Sequence, residues 1–321
     1  MPNQGFMPIE DTDAVPGDLG APSFGDGPVC VITNRKSGRN SRDRNAVEAA
    51  AEALGGEIVS FSGGKGLMEA IEKVKARKPF LVVAAGGDGT AMAVAGAFVG
   101  TDVAFGVLPL GTFNYFARGL GLSTDPVEAS RQLAAGQVVE RHIGTVNGQV
   151  FLNNASVGIY PSILKVRESV YRRWGRRRIM AHWSVIKTFI RFRKPMRVRL
   201  EVDGDGGRYR TALVFVARSS FQLERFGLEG TDIIREGGFA VLLVNARTRL
   251  ELFRRITRLA LGTVEEGVDY DLFAGERLKL DVEGKRRVLL AYDGEKKRMN
   301  APLEFGMSER PLRLLIPEKP A

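Results

Sequence analysis

Five consecutive residues, Gly86-Gly87-Asp88-Gly89-Thr90, have the types and the spacing of a phosphate-binding turn. Three glycines in four positions let the backbone approach a ligand closely and adopt φ values that other residues avoid. An apolar run, Phe80–Ala85, precedes the turn, and an Ala-rich segment typical of a helix follows from Thr90. The free N–H groups and the positive dipole end of such a helix would face an anion held in the turn. The alternative interpretation is a tight strand-to-helix connection in which Asp88 only caps the helix.

A second turn of the ligand-binding type, Leu110–Asn114, follows the apolar run Val103–Leu110. Both turns come directly after predicted strands. Because the carboxyl ends of parallel strands share one edge of a sheet, and α/β folds bind ligands at that edge, we expect the two turns to lie side by side.

The elements around these turns indicate two domains. Strands alternate with helices over residues 28–137, which predicts an α/β nucleotide-binding domain with a parallel sheet covered on both faces. Residues 138–317 contain short strands and turns such as Asn147-Gly148, which predict a mainly antiparallel β-sandwich substrate domain that returns near the cleft at its C-terminal end. Helical insertions are expected at Pro161–Phe192 and Arg249–Gly262, and residues 1–27 are expected to be a disordered leader.

The net charge of +10 is concentrated in one segment. Lys165–Arg199 contains thirteen Lys or Arg and one acidic residue. Aromatic and aliphatic residues recur there at helical spacing between the arginines, a pattern typical of a helix at an anionic membrane surface. Two alternatives stay open. The helix could pack on its own domain with a solvated basic face, or its charge could bind nucleic acid, although no nucleic-acid recognition motif accompanies it.

The composition argues against several other classes of protein. The single cysteine, Cys30, rules out an intrachain disulfide and suits a reducing cytoplasm. With only two histidines besides, the chain has few ligands for a zinc site. No apolar run approaches the roughly 18 residues that cross a bilayer, and the first residues lack the basic start and apolar core of a secretory signal.

Three separated motifs together resemble the diacylglycerol kinase catalytic-domain family, which includes bacterial lipid kinases and sphingosine kinases. They are Ala85–Thr90 (AGGDGT), Leu108–Arg118 (LPLGTFNYFAR) and Asp293–Glu295 (DGE). A weaker matching motif, Phe151–Tyr160 (FLNNASVGIY), lies where the second domain of the family begins. The resemblance extends over roughly Val29–Pro317 and implies a two-domain kinase with its nucleotide in the cleft between the domains.

The resemblance also implies roles for individual residues. Glu295 would accept the proton of a lipid hydroxyl as it attacks the γ-phosphoryl group of ATP, with Asp293 as its catalytic neighbour. Mg²⁺ would neutralise the phosphates, since this fold lacks the P-loop lysine. Taken alone, Asp293-Gly294-Glu295 is the pattern of a plain surface turn. The residues expected to hold the nucleotide are Asn34, Ser60, Gly86, Gly87, Asp88, Gly89, Thr90, Thr112 and Asn114.

The chain departs from the family pattern at two positions. Tyr115 and His142 stand where the family commonly has aspartates of the acidic network around the metal and the acceptor hydroxyl. Metal affinity and acceptor choice are therefore open, and His142 is either a proton relay or a space-filling residue. A metal of the second domain is expected at Glu236 with the backbone carbonyls of Ile233 and Gly238.

The sequence thus predicts an ATP- and Mg²⁺-dependent kinase that phosphorylates diacylglycerol or another lipid alcohol. We expect it in the cytoplasm, held at the inner membrane face by Lys165–Arg199, and a homodimer is one arrangement that stays open. One alternative is an NAD kinase, which shares the GGDGT turn, although LPLGTFN and the late DGE argue against it. The other is a pseudokinase that binds nucleotide and membrane without turnover, as the two missing aspartates would allow.

Overall fold

The computed structural model describes residues 27–35, 41–159 and 195–318, which form three six-stranded sheets. The predicted leader lies outside the described residues except for Gly27. The predicted helical insertion Pro161–Phe192 also lies outside them, and so does the basic segment as far as residue 194.

The first sheet has the strand order β2-β1-β3-β4-β18-β5. Every residue of its central strands β3 and β4 is buried, as expected for strands covered on both faces. All neighbours pair in parallel except β18 and β5, which are antiparallel. The strands are β1 (Val29–Asn34), β2 (Gly56–Phe61), β3 (Leu81–Gly86), β4 (Ala104–Pro109), β5 (Gln137–Arg141) and β18 (Leu312–Ile316).

Helices connect the strands of this sheet. The last of them, which begins at Pro126, is capped by Asp125, whose Oδ1 accepts the N–H groups of Val127 at 3.0 Å and Glu128 at 3.2 Å. Such a cap typically contributes about 1 kcal/mol. The helices are α1 (Ser41–Ala53), α2 (Gly63–Ala76), α3 (Asp88–Phe98), α4 (Tyr115–Gly119) and α5 (Pro126–Ala134).

The remaining strands form two antiparallel sheets that pack face to face. Their orders are β10-β9-β14-β17-β6-β7 and β13-β12-β11-β8-β15-β16. The strands are β6 (Gly144–Val146), β7 (Gln149–Phe151), β8 (Asn154–Gly158), β9 (Met196–Val202), β10 (Asp205–Thr211), β11 (Leu213–Ala217), β12 (Phe239–Val244), β13 (Tyr270–Gly275), β14 (Leu278–Val282), β15 (Arg287–Tyr292), β16 (Glu295–Asn300) and β17 (Leu303–Met307). Within residues 195–318, three helices accompany them: α6 (Ser220–Phe226), α7 (Thr231–Arg235) and α8 (Arg249–Leu261).

Aromatic side chains join the two antiparallel sheets. The ring of Phe151 lies 5.8 Å from that of Phe239 on the opposite sheet and 6.2 Å from that of Phe305 on its own sheet. All three rings are buried. An α/β domain with a parallel sheet, followed by an antiparallel β-sandwich, is the fold class that the sequence predicts, and it is confirmed.

The membership of individual strands differs from the sequence prediction. Residues 138–141 and 312–316 fall within the predicted sandwich, but they pair with each other in the first sheet, where β18 lies between β4 and β5. Residues 205–217 form two strands, β10 and β11, which belong to different sheets, and at Ala212 between them the N–H donates to the carbonyl of Val244. Long-range pairing of this kind leaves no local pattern in the sequence. The division of function between two domains stays a prediction.

Among the helices that the structure describes, none has both the length and the apolar character needed to cross a membrane.

Candidate active site

The two glycine-containing turns meet at the carboxyl edge of the first sheet. Gly86 at the end of β3 is paired with Pro109 at the end of β4, and the N–H of Leu110 donates to the carbonyl of Gly86 at 3.0 Å. A Cβ placed on Gly111 would lie 2.5 Å from the Cα of Gly87, and one on Gly87 would lie 3.2 Å from the Cα of Gly111. The turns therefore pack backbone against backbone, at a distance that only glycine permits at Gly111.

Helix α3 begins inside the first turn. Gly87 is its N-cap residue, and within the described part of the chain no side chain caps the helix. The N–H of Thr90 donates to the carbonyl of Gly87 at 2.9 Å, while the N–H groups of the preceding residues remain at the open helix end. Such an end suits an anion such as a phosphate.

Asp88 does not cap the helix, contrary to the alternative interpretation of the turn. Its Oδ1 accepts the N–H of Phe116 at 3.0 Å, which joins the two turns. The same oxygen accepts the side-chain amide of Asn153 at 3.3 Å, which joins the turns to the segment before β8. Asp88 therefore lies where the parallel sheet meets the sandwich.

Glu295 reaches the glycine turn from a distant part of the sequence. It is the first residue of β16, it is exposed, and its Oε1 lies 3.5 Å from the position that a Cβ on Gly89 would occupy. The structure thus brings together the first and the last of the three motifs. A carboxylate beside a phosphate-binding turn is placed to accept a proton from a group that attacks the phosphate.

Asp293 has a different environment from Glu295. It is 7% exposed, and its carboxylate accepts the N–H groups of Leu152 at 2.5 Å, Asn153 at 2.8 Å and Asn154 at 3.1 Å. Burial raises the pKa of Asp293 to about 6, the three N–H groups lower it, and the charge of Asp88 raises it. These contacts make Asp293 an anchor for residues 152–154, and its assignment as a catalytic residue stays a prediction.

Asn153 is a site residue that the sequence analysis did not select. It is 1% exposed, it contacts Asp88 through its side chain and Asp293 through its backbone, and its Oδ1 lacks a hydrogen-bond partner in the described structure. Its neighbour Asn154 donates from Nδ2 to Gln222 Oε1 at 2.9 Å, and its Oδ1 likewise lacks a partner there. The sequence signal was the weak motif FLNNASVGIY, which by itself did not indicate which asparagine mattered.

The oxygens at this site fit a hard divalent cation. Asp88, Asp293 and the unpartnered carboxamide oxygen of Asn153 are ligand types that Mg²⁺ prefers. Within the described residues, no group of three or more His, Cys, Asp or Glu side chains is arranged to hold a metal alone. A magnesium ion here would therefore take further ligands from phosphates and water, as it commonly does in kinases.

Arg218 adds a positive charge behind the same segment. Its N–H donates to the carbonyl of Asn153 at 2.8 Å, and its guanidinium Nη1 donates to the carbonyl of Ile234 at 3.0 Å. Burial, followed by the charge of Arg141, lowers the pKa of Arg218 to about 10, so the side chain stays charged at neutral pH. This cation was also missed by the sequence analysis.

The other predicted nucleotide contacts lie along the same sheet edge. Asn34 ends β1, and Ser60 is exposed on β2 opposite Thr33. Thr112 is exposed in the second turn. Asn114 was also predicted to contact the nucleotide, but its side chain hydrogen-bonds within the turn. Its Oδ1 accepts the N–H of Gly111 at 2.9 Å, and its Nδ2 donates to the Gly111 carbonyl at 3.0 Å. A cavity of about 430 Å³ adjoins the turn, lined in part by Leu110, Gly111 and Asn114.

The two departures from the family pattern have clear contacts. His142 Nδ1 lies 2.7 Å from the carbonyl oxygen of Ser308, so this nitrogen carries the proton in that bond. The ring thereby ties the residues after β5 to those after β17. Tyr115 stacks on Phe113 with ring centres 5.6 Å apart.

The predicted second metal site extends from Ile233 in α7 into the loop after that helix. Glu236 is exposed there, and the carbonyl of Ile233 accepts the N–H of Gly238 at 2.9 Å. A carbonyl oxygen has a second lone pair, so this bond leaves room for a metal. The site stays a prediction.

Comparisons with known proteins agree with the geometry. Residues 28–146 match the family model of the diacylglycerol kinase catalytic domain, and residues 165–316 match that of the YegS C-terminal NAD kinase beta sandwich-like domain. Solved structures with a similar fold include a putative diacylglycerol kinase from Bacillus anthracis, with a TM-score of 0.68 and 16% identity, covering 90% of this chain and 96% of that one.

Two relatives show the range of the sequence similarity. A probable lipid kinase YegS-like protein of Chromohalobacter salexigens is 38% identical over 143 residues, which is 41% of this chain and 44% of the relative, so the match spans less than half of that protein. The diacylglycerol kinase of Bacillus subtilis is 28% identical over 75% of this chain and 79% of its own length. The two family models together match most of the chain, so residues 28–146 belong to the diacylglycerol kinase catalytic-domain family and residues 165–316 to the YegS C-terminal sandwich family, in agreement with the resemblance that the three motifs had indicated.

Proposed function

We propose that the protein is an ATP- and Mg²⁺-dependent kinase that transfers the γ-phosphoryl group to the hydroxyl of a lipid alcohol at a membrane surface. The observation that carries the proposal is the position of Glu295 Oε1, 3.5 Å from the Cβ position of Gly89 in the phosphate turn. A proton acceptor and a phosphate-binding turn are the two parts that phosphoryl transfer to an alcohol requires.

In the proposed reaction, each part of the site has its own role. The open N-terminal end of α3, with the closely packed Gly87 and Gly111, binds the phosphates of ATP. Glu295 accepts the proton of the acceptor hydroxyl as the oxygen attacks, and Asp293 holds residues 152–154 against the turn. Magnesium, when bound, neutralises charge on the transferred phosphoryl group.

Diacylglycerol is the first candidate acceptor, because the matched relative from Bacillus subtilis is a diacylglycerol kinase. Tyr115 and His142 replace two acidic residues of the family pattern, so other lipid alcohols belong in the same test. The cytoplasmic face of the inner membrane is the proposed location, with Lys165–Arg199 as the membrane contact and its +12 charge as support.

The test is labelled ATP with Mg²⁺ and a panel of lipid alcohols that contains diacylglycerol, with NAD as an additional acceptor. We expect a lipid to be labelled, and we expect Glu295→Ala to lower kcat by about 10²- to 10⁴-fold, the usual contribution of a positioned general base. The Kd for ATP should stay unchanged. Glu283→Ala, which removes an exposed carboxylate from another turn of the sandwich, is the matched control and should behave as wild type.

The outcomes separate the candidate functions. Labelling of NAD alone would favour an NAD kinase. Binding of ATP and of anionic vesicles without any labelled acceptor would favour a pseudokinase, for which the replaced aspartates are the motivating observation. Full activity of Glu295→Ala would refute the assigned role of that residue.

A further inference from the structure

Four aromatic rings form a continuous group beside the candidate active site. We call Phe113, Tyr115, Phe221 and Phe226 the aromatic cluster. Tyr115 lies at its centre, with ring centres 5.6 Å from Phe113 and 6.5 Å from both Phe221 and Phe226. Two rings come from the turn after β4 and the start of α4, and two from α6, so the cluster joins the two parts of the molecule.

The cluster is open to solvent on one side. Phe113 is 44% exposed and Phe226 is 36% exposed, although both rings contact Tyr115. Adjoining exposed rings form an apolar patch, which is costly in water and typically marks a binding surface. The guanidinium carbon of Arg118 lies 4.6 Å from the ring centre of Phe221, so a cation borders the patch.

Residues adjacent to the cluster in the sequence are connected to the carboxylates of the site, one directly and one through Asn154. On one side, the residue after Tyr115 donates its N–H to Asp88. On the other, Gln222 follows Phe221 and accepts the side-chain amide of Asn154, whose own N–H donates to Asp293. The patch is therefore continuous with the candidate active site.

We propose that the aromatic cluster binds the hydrocarbon chain of the lipid acceptor while the hydroxyl of that lipid lies at Glu295. This inference rests on the proposed function and names a part of the substrate that the function requires. A lipid alcohol must keep its chain on an apolar surface while its hydroxyl reaches a polar site, and the cluster supplies such a surface beside Asp88 and Asp293. On this assignment, Tyr115 offers the lipid chain an apolar contact at the position where the family commonly has an aspartate.

The first experiment locates the chain without requiring turnover. The full-length protein is irradiated with a diacylglycerol that has a diazirine in one acyl chain, and the labelled peptides are identified by mass spectrometry. We expect label on the peptides that contain residues 113–115 and 221–226, and we expect excess unlabelled dioleoylglycerol to remove it. Label confined to other peptides, or no label, overturns the inference.

The second experiment measures chain recognition during turnover. Phe226→Ser should raise the KM for didecanoylglycerol in mixed micelles about tenfold, since it removes one large apolar contact, and should leave kcat and the KM for ATP unchanged. Val268→Ser is the matched control, because Val268 is also exposed and lies outside the cluster. Equal KM values in Phe226→Ser and wild type overturn the inference.

Other occupants of the patch give different results. If the cluster binds the bilayer itself, Phe226→Ser weakens binding to vesicles equally with and without diacylglycerol. If it binds a second copy of the chain, Phe226→Ser abolishes a dimer in sedimentation velocity. Either result overturns the inference, and neither affects the proposed function. Conversely, specific label in the cluster with no phosphorylated lipid refutes the proposed function but leaves the lipid contact in place.

Discussion

At the scale of residues, Asp293 and Glu295 show how one short turn separates two carboxylates. Asp293 has φ 43° and Gly294 has φ 86°, both in the left-handed region, so the chain reverses sharply between β15 and β16. The first carboxylate is thereby buried against the N–H groups of residues 152–154, and the second is exposed beside Gly89. Two acidic residues of one motif therefore have distinct environments: Asp293 holds residues 152–154, and Glu295 is the proposed proton acceptor.

The buried carboxyl of Asp293 leads to a pH-dependent stability. Its pKa in the folded protein is about 6, above the ordinary aspartate value of 3.8, so the folded state binds the proton more tightly than the unfolded state does. The free energy of unfolding should therefore fall as the pH rises from about 4 to about 6, by about 3 kcal/mol. We expect Asp293→Asn, which cannot titrate, to lack this component, as measured by urea unfolding at pH 4, 5, 6 and 7.

The quantity to compare is the difference in the free energy of unfolding between wild type and Asp293→Asn at each pH, because other carboxylates also titrate in both proteins. Asp293→Asn is expected to be less stable than wild type at pH 4, since an amide cannot accept all three N–H groups, and this difference should shrink towards pH 7. Asp281→Asn, an exposed position on β14, should keep the wild-type pH dependence. Parallel pH profiles of Asp293→Asn and wild type would contradict the raised pKa.

At the scale of elements, the site depends on the contact between two turns. The turn after β3 supplies the open end of α3, and the turn after β4 supports it through the bond from Leu110 to Gly86 and the contact of Gly111 with Gly87. Asn114 has φ 50° and returns its side chain to Gly111, which closes the second turn on itself. The proposed phosphate-binding surface therefore depends on both turns.

Separating these turns should weaken nucleotide binding. In Gly111→Ala the new Cβ would lie 2.5 Å from Gly87 Cα and 2.6 Å from Asn114 Oδ1, so the backbone must move. We expect the Kd for ATP, measured by calorimetry, to rise at least tenfold, with a loss of about 1–3 kcal/mol in the free energy of unfolding.

Gly64→Ala is the matched control for that change. A Cβ on Gly64 meets no atom within 4 Å, and this residue lies in the first turn of α2. Its affinity for ATP should equal that of wild type. Tight ATP binding by Gly111→Ala would show that the second turn does not support the first.

At the scale of the whole molecule, two features stand out: the place of β18 in the first sheet and the concentration of positive charge in one segment. β18, the last strand of the described residues, lies between β4 and β5, so the chain returns from the sandwich to the first sheet. The positive charge belongs mainly to Lys165–Arg199, whose sequence motivates the proposed membrane contact. Two separate membrane-related surfaces are thus proposed, one for the anionic headgroups and one for the acceptor chain.

The proposed membrane contact of Lys165–Arg199 can be tested by measuring the binding of the protein to lipid vesicles. The full chain should bind vesicles that contain phosphatidylglycerol more tightly than pure phosphatidylcholine vesicles, and binding should weaken as salt rises from 0.05 to 0.5 M. Replacing Arg177 and Arg178 by Gln should lower the affinity at least tenfold, because each basic residue near the surface contributes about 1 kcal/mol. Replacing Arg208 and Arg210, exposed on β10, should change it less than twofold. Equal effects of the two replacements would refute a contact specific to the segment.

The sequence by itself determined the local parts of this protein. Glycine spacing, apolar runs and turn residues are short-range signals, so they were sufficient to predict the strand–turn–helix at Gly86–Thr90, the second turn and the class of each domain. The conjunction of three motifs indicated the family, because motifs that are each common when taken alone rarely occur together in this order.

Only the tertiary structure decided which of these parts meet. The 3.5 Å approach of Glu295 to Gly89, the contact of Asn153 with both Asp88 and Asp293, and the pairing of β18 with β4 join residues that are far apart in the chain. Such contacts depend on how whole sheets pack, and packing leaves no mark at fixed sequence spacing. The same reason explains the aromatic cluster, since each ring alone is an ordinary apolar residue and only the fold places the four together.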